Sequence, residues 1–95
     1  NPRFSLAYMF LSTVYTLQKR YDEAENIVLS LVDYDIYDEQ AARQLVRVYN
    51  AQQKDISEAE LSYYDYASKS YDRRGKKELA EKYRKLYEET KAKNK

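Results

Sequence analysis

A chain of 95 residues with a formal net charge of +1 and neither cysteine nor histidine is one small domain or part of a larger protein. It can form no disulfide, thiol nucleophile, imidazole base or zinc site built on those ligands. One glycine and one proline cannot make a phosphate-cradling loop, and they leave few helix breakers in a chain rich in Ala, Leu, Glu, Lys, Gln and Arg. These absences argue against an enzyme, and no metal or cofactor is expected.

Apolar periodicity predicts five helices. The first, over 4–18, places Phe4, Ala7, Tyr8, Leu11, Val14 and Tyr15 on one face. The second, over 22–34, carries Ala24, Ile27, Val28, Leu31 and Val32, with Asp22 as the expected N-cap. The third, over 38–53, carries Ala41, Ala42, Leu45, Val48 and Tyr49. The fourth, over 57–73, carries Ala59, Tyr63, Tyr66, Ala67 and Tyr71, with Ser57 and Glu60 at the spacing of a capping box. Gly75 follows Arg73 and Arg74, as expected just past a helix C-terminus. The fifth, over 76–92, carries Leu79, Ala80, Tyr83, Leu86 and Tyr87. Connections of roughly two to five residues make consecutive helices antiparallel neighbours.

The chain repeats itself. Leu11, Tyr15 and Gln18 recur 34 residues later as Leu45, Tyr49 and Gln52. Ala24, Glu25 and Val28 are answered 35 residues later by Ala59, Glu60 and Tyr63, so the second turn holds one extra residue. The echoing phrases LQKRYDEAE and QQKDISEAE span those turns, and their charges read as solvated turn and helix-start charge. A period near 34 with two helices per unit marks one class of helical repeat.

The stretch AYMFLSTVYTLQKRYDEA, residues 7–24, resembles the tetratricopeptide repeat family. The family's successive roles fall to Tyr8, Leu11, Ser12, Tyr15, Tyr21 and Ala24, and in the second unit to Ala42, Leu45, Val46, Tyr49 and Ala59. The family's turn glycine is replaced by Lys19 and Gln53, and Ile36 stands where its terminal proline would be. The resemblance implies an all-α, antiparallel helix-pair solenoid, a single helical-repeat domain over 1–95. Repeat one would span 5–38, repeat two 39–73, and a capping helix 76–93. Ser12 and Ala24 are small enough for close helix approach, with Leu11 and Tyr15 filling the space between. Pro2 falls where the proline ending an earlier unit would stand, so the expectation is the C-terminal part of a longer array.

The family lines a concave groove with the first helix of each pair. The resemblance therefore implies a partner-binding groove of Leu6, Met9, Thr13 and Thr16 from unit one and Gln40, Arg43, Arg47 and Asn50 from unit two. Arg43 and Arg47, four apart, share a face and can grip a carboxylate together. Met9 and Thr13 stand where some members carry a lysine and asparagine clamp for a peptide C-terminus, so that ligand is not expected. The expected function is a scaffold or protein-binding module taking a protein or peptide segment, not a small-molecule substrate. A purely structural C-terminal cap is the alternative.

Other features have simpler readings. Residues 76–95 carry eight basic and four acidic side chains, which could attract nucleic acid or an acidic surface but reads first as a solvated helix. Tyr63, Tyr64, Tyr66 and Tyr71 could stack bases, but their segment is neutral; core packing is expected, with Tyr64 the exposed ring. The acidic stretch DYDIYDE, 33–39, has Asp38 where an EF-hand loop needs glycine and Gln44 where it needs glutamate. It reads as a turn between repeats. No apolar run approaches the roughly 20 residues of a membrane span, and nothing fixes a compartment.

Overall fold

The computed structural model describes residues 2–34 and 38–93, with side chains over 5–34 and 39–93. Five α-helices follow one another: α1 (Pro2–Leu17), α2 (Tyr21–Leu29), α3 (Asp38–Ala51), α4 (Ile56–Arg73) and α5 (Lys77–Lys93), with a 3₁₀ segment, Ser30–Tyr34, continuing α2. Each consecutive pair is in contact, and α1 also touches α3 as α2 touches α4. The principal extents are 35 × 35 × 17 Å. The thin dimension suits two layers of helices with axes 8–10 Å apart.

Three of the connections are built alike. After α1 the Arg20 N–H bonds the Tyr15 carbonyl and the Lys19 N–H that of Thr16; after α3 Lys54 bonds Tyr49 and Gln53 bonds Asn50; after α4 Lys76 bonds Tyr71 and Gly75 bonds Asp72. This pairing is the Schellman arrangement, which satisfies the orphan carbonyls of a helix end and needs one residue in the left-handed region. Lys19 (φ 62°), Gln53 (φ 60°) and Gly75 (φ 78°) occupy it. The expectation for Gly75 thus holds, and the two missing turn glycines are replaced in function by strained non-glycine residues. A cation covers the nearby tyrosine each time: Arg20 over Tyr15 at 4.6 Å, Lys54 over Tyr49 at 5.5 Å and Arg74 over Tyr71 at 4.6 Å.

The extra residue of the second turn is Asp55, and it moves the cap. Asp55, not Ser57, is the N-cap of α4: its carboxylate accepts from the Ser57 N–H at 3.2 Å, while Glu58 accepts from the Asp55 N–H at 3.1 Å. A capping box exists, two residues earlier than the Ser57–Glu60 spacing suggests. Nor is Asp22 a cap. The position before α2 is Arg20, whose side chain makes no capping bond but ion-pairs with Glu23 on the surface. That pairing, through its hydrogen bond, holds the Glu23 carboxyl below its ordinary range.

The core runs through the middle of the stack. Val28, Leu31, Val32, Ala41, Leu45, Ala59, Tyr63, Ala67 and Tyr71 form one buried cluster. Ser12 and Ala24 are both fully buried, and the Ser12 hydroxyl donates to the Ala24 carbonyl at 3.2 Å. The close approach of α1 and α2 expected of these small residues is present. The expected stripe on α1 is not. Its buried positions are Ser5 and Ser12, while Ala7 and Leu11 are exposed. Leu11 therefore does not fill the space between the helices, because α1 is apolar nearly all round and turns its hydroxyl-bearing side inward.

At the other end, α5 lies against α4 through tyrosines. Tyr83 stacks on Tyr71 with centroids 5.5 Å apart and meets Tyr63 edge-on at 5.9 Å. Tyr64 joins this cluster, 6.0 Å from Tyr63 and 6.1 Å from Tyr83. It is half-buried rather than the exposed ring expected of it; among the described residues the exposed tyrosine is Tyr34. No residue of α5 is fully buried. Among the described residues no helix is long and apolar enough to cross a membrane.

Candidate protein-binding surface

The eight residues expected to line a groove lie on the two neighbouring helices α1 and α3. Leu6, Thr13, Gln40, Arg43, Arg47 and Asn50 are exposed. Thr16 is half-buried and donates to the Ser12 carbonyl at 2.8 Å. Met9 is half-buried against the core cluster, so much of its side chain supports the fold rather than the surface. Thr13 donates to the Met9 carbonyl at 3.0 Å, a helix back-bond that leaves the hydroxyl oxygen free to accept.

What joins the two rows is Gln44, a residue that the repeat pattern does not single out. It is nearly buried, 3% exposed. Its amide nitrogen donates to the Ser12 and Thr13 hydroxyls of α1, each at 3.3 Å, and its oxygen accepts from Arg47 at 3.4 Å. Thr13 and Arg47 are thus held on either side of one buried amide. A glutamine on the inner side of a helix that faces two hydroxyls is a legible signal only once the facing helix is known. Arg43 points outward and pairs with Glu39 at 2.7 Å, both side chains well exposed. Such exposed i,i+4 pairs are worth about 0.3–0.5 kcal/mol, so an incoming carboxylate can replace Glu39 at little cost.

Two carboxylates that the sequence places among solvated charges are instead half-buried acceptors between helices. Glu25 accepts from the Tyr49 hydroxyl at 2.7 Å and from the Ser62 hydroxyl at 2.6 Å, joining α2 to α3 and α4. Asp33 accepts from Tyr66 at 2.7 Å and from Ser70 at 2.5 Å, and Arg73 approaches it at 3.6 Å. Burial and the adjoining carboxylates push the Tyr49 and Tyr66 hydroxyls above their ordinary value of 10.0. The charge on Glu25 and Asp33 is paid out as hydrogen bonds inside the fold. Asp33 opens the acidic stretch 33–39, whose residues 35–37, including Ile36, lie outside the described residues. Among the described residues no three His, Cys, Asp or Glu side chains gather as a metal site would require.

An open cleft of about 400 Å³ lies between α4 and α5, lined by Ser68, Lys69, Asp72, Lys77, Glu81 and Arg84. Its cations are already matched: Lys69 and Arg84 with Asp65 at 3.0 and 3.4 Å, Lys77 with Asp72 at 2.7 Å. The cleft therefore offers no unbalanced charge to a ligand. The chain matches no family model, no curated protein and no solved structure.

Proposed function

We propose that the chain is a protein-binding module of tetratricopeptide-like helix pairs, taking an extended protein segment along the face shared by α1 and α3. Three features support the helix-pair reading: the Schellman turns recurring 34 residues apart, the buried small residues Ala24 and Ala59, and the contacts between helices two apart in the chain. The observation that carries the function is the Thr13–Gln44–Arg47 chain of hydrogen bonds. It fixes a neutral row on α1 beside a cationic row on α3. Exposed Asn50 and Gln40 add hydrogen-bonding groups for a peptide backbone. A segment bearing an acidic side chain opposite Arg43 and Arg47 is the ligand that this face suits, since guanidinium groups bind carboxylates through paired hydrogen bonds.

The reading is tested by selecting binders from a displayed peptide library and then measuring their affinity for the Arg43→Glu, Arg47→Glu double variant. Both arginines are exposed, Arg47 losing only its 3.4 Å bond to the Gln44 oxygen, so with the fold checked by circular dichroism the affinity for acidic segments should fall by at least ~10-fold. Undiminished affinity with an unchanged circular dichroism spectrum removes these residues from the site.

A further inference from the structure

The two first helices of the proposed pairs differ in one respect: α3 has a cover and α1 does not. In α3 the inward positions are Ala41, Gln44, Leu45 and Val48, respectively 0, 3, 0 and 0% exposed. The helix pair before α3 covers them. Ala41 and Leu45 sit in one cluster with Val28, Leu31 and Val32, and Gln44 bonds to α1. Thirty-four residues earlier, the matching positions are Ala7, Phe10, Leu11 and Val14. Phe10 is 72% and Leu11 37% exposed, Ala7 is exposed and Val14 only half-buried. Leu6 and Leu17 extend the same apolar helix surface and are exposed too. No charged residue interrupts the chain from Phe4 to Gln18. A contiguous apolar helix face left bare in this way marks a contact site.

We infer that the Ala7–Phe10–Leu11–Val14 face of α1 is the seat of another helix pair of the same kind, leading into α1 and stacked on it as α1 and α2 are stacked on α3. The inference rests on the helix-pair reading of the fold but not on the binding face. Its occupant is specified by the internal precedent rather than by apolarity alone. The covering pair must present aliphatic residues where α2 and its 3₁₀ extension present Val28, Leu31 and Val32. Where α1 offers Ser12 and Thr13 to Gln44, the covering pair must offer apolar groups, because Phe10 stands in the place of that glutamine and cannot answer a hydroxyl. A second copy stacked head to tail does not meet this specification. The outward positions of α5 are Glu78, Glu81, Lys82, Lys85, Glu88 and Glu89, all exposed and charged, and burying them against Phe10 would strand charge.

The test compares the 95-residue chain with a tandem in which residues 5–38 are duplicated ahead of residue 5, the added copy carrying Ser12→Ala and Thr13→Val. The tandem should unfold at higher urea than the single chain. Phe10→Lys in the original α1 should leave the single chain's urea midpoint unchanged, since Phe10 is exposed there, but lower the tandem's folded-to-unfolded ratio by ~10-fold or more. A tandem no more stable than the single chain, or a Phe10→Lys effect equal in both, overturns the inference. So does a single chain that is dimeric by light scattering and made monomeric by Phe10→Lys, because the seat then belongs to a second copy. Arg43→Glu with Arg47→Glu should leave the Phe10→Lys difference intact, so a failure of the binding face and a failure of this seat are read separately.

Discussion

Asp33 illustrates how little of a residue's role its type reveals. In the acidic stretch it looks like one more solvated carboxylate, yet it receives the hydroxyls of Tyr66 and of Ser70, the latter 1% exposed. Removing this half-buried acceptor leaves the buried Ser70 hydroxyl without it, which costs about 1–3 kcal/mol. Asp33→Ala should lower stability in urea by about that amount, and Asp33→Asn, which keeps an accepting oxygen, by less. The tyrosines bonded to carboxylates also set a pH limit. Because the folded chain holds the Tyr49 and Tyr66 protons more tightly than the unfolded chain does, folding stability from these groups is complete below pH 10. It falls as pH rises through the raised values, where the unfolded state has lost protons that the folded state keeps. Urea midpoints measured at neutral pH and above pH 10 should show this loss, and it should shrink in the Tyr49→Phe, Tyr66→Phe double variant.

Among the elements, the turns carry the clearest strain. Lys19 and Gln53 hold left-handed backbone that glycine adopts freely and other residues adopt at a cost of roughly 1–2 kcal/mol. Lys19→Gly and Gln53→Gly should each raise stability, by up to about 1 kcal/mol once glycine's greater unfolded-state freedom is set against the relieved strain. Lys54 and Arg20 remain over their tyrosines in either variant. Gly75→Ala should do the reverse, costing about 1 kcal/mol through φ alone, since a Cβ there would meet no atom within 4 Å. Thermal denaturation of the three variants checks all three signs at once. The helix starts differ for an equally local reason: the one extra residue in the second turn supplies Asp55, so α4 has a side-chain cap that α2 lacks.

Across the whole molecule the two ends are unlike. One end is the bare apolar side of α1; the other is α5, which covers Tyr63 and Tyr71 with Tyr83 and turns charge outward. We propose α5 as the cap of the stack. Deleting residues 76–95 should expose that tyrosine layer and make the chain aggregate or unfold, and Tyr83→Ala should cost about 2 kcal/mol by removing three aromatic pairs and leaving space beside Tyr71. A deletion variant that stays soluble and fully helical by light scattering and circular dichroism would end the capping role.

Helix number, order and rough extent follow from the sequence because they depend on neighbours three and four residues apart, and that periodicity is written along the chain. The 34-residue recurrence and the extra residue in the second turn are equally legible, and the turn geometry at Lys19 and Gln53 bears out the equivalence. The sequence also brings Arg43 and Arg47 to one helix face by spacing alone. It does not say which side of α1 is inside: with apolar residues nearly all round, the choice fell to Ser5 and Ser12, whose small hydroxyls fit the close approach of α2. Nor does it distinguish Glu25 and Asp33 from solvated acids, or Gln44 from a surface glutamine, because their partners lie 24 to 37 residues away. Periodicity is a local property and was decided locally; burial of a polar group depends on what the opposite helix offers, and only the tertiary structure decides that.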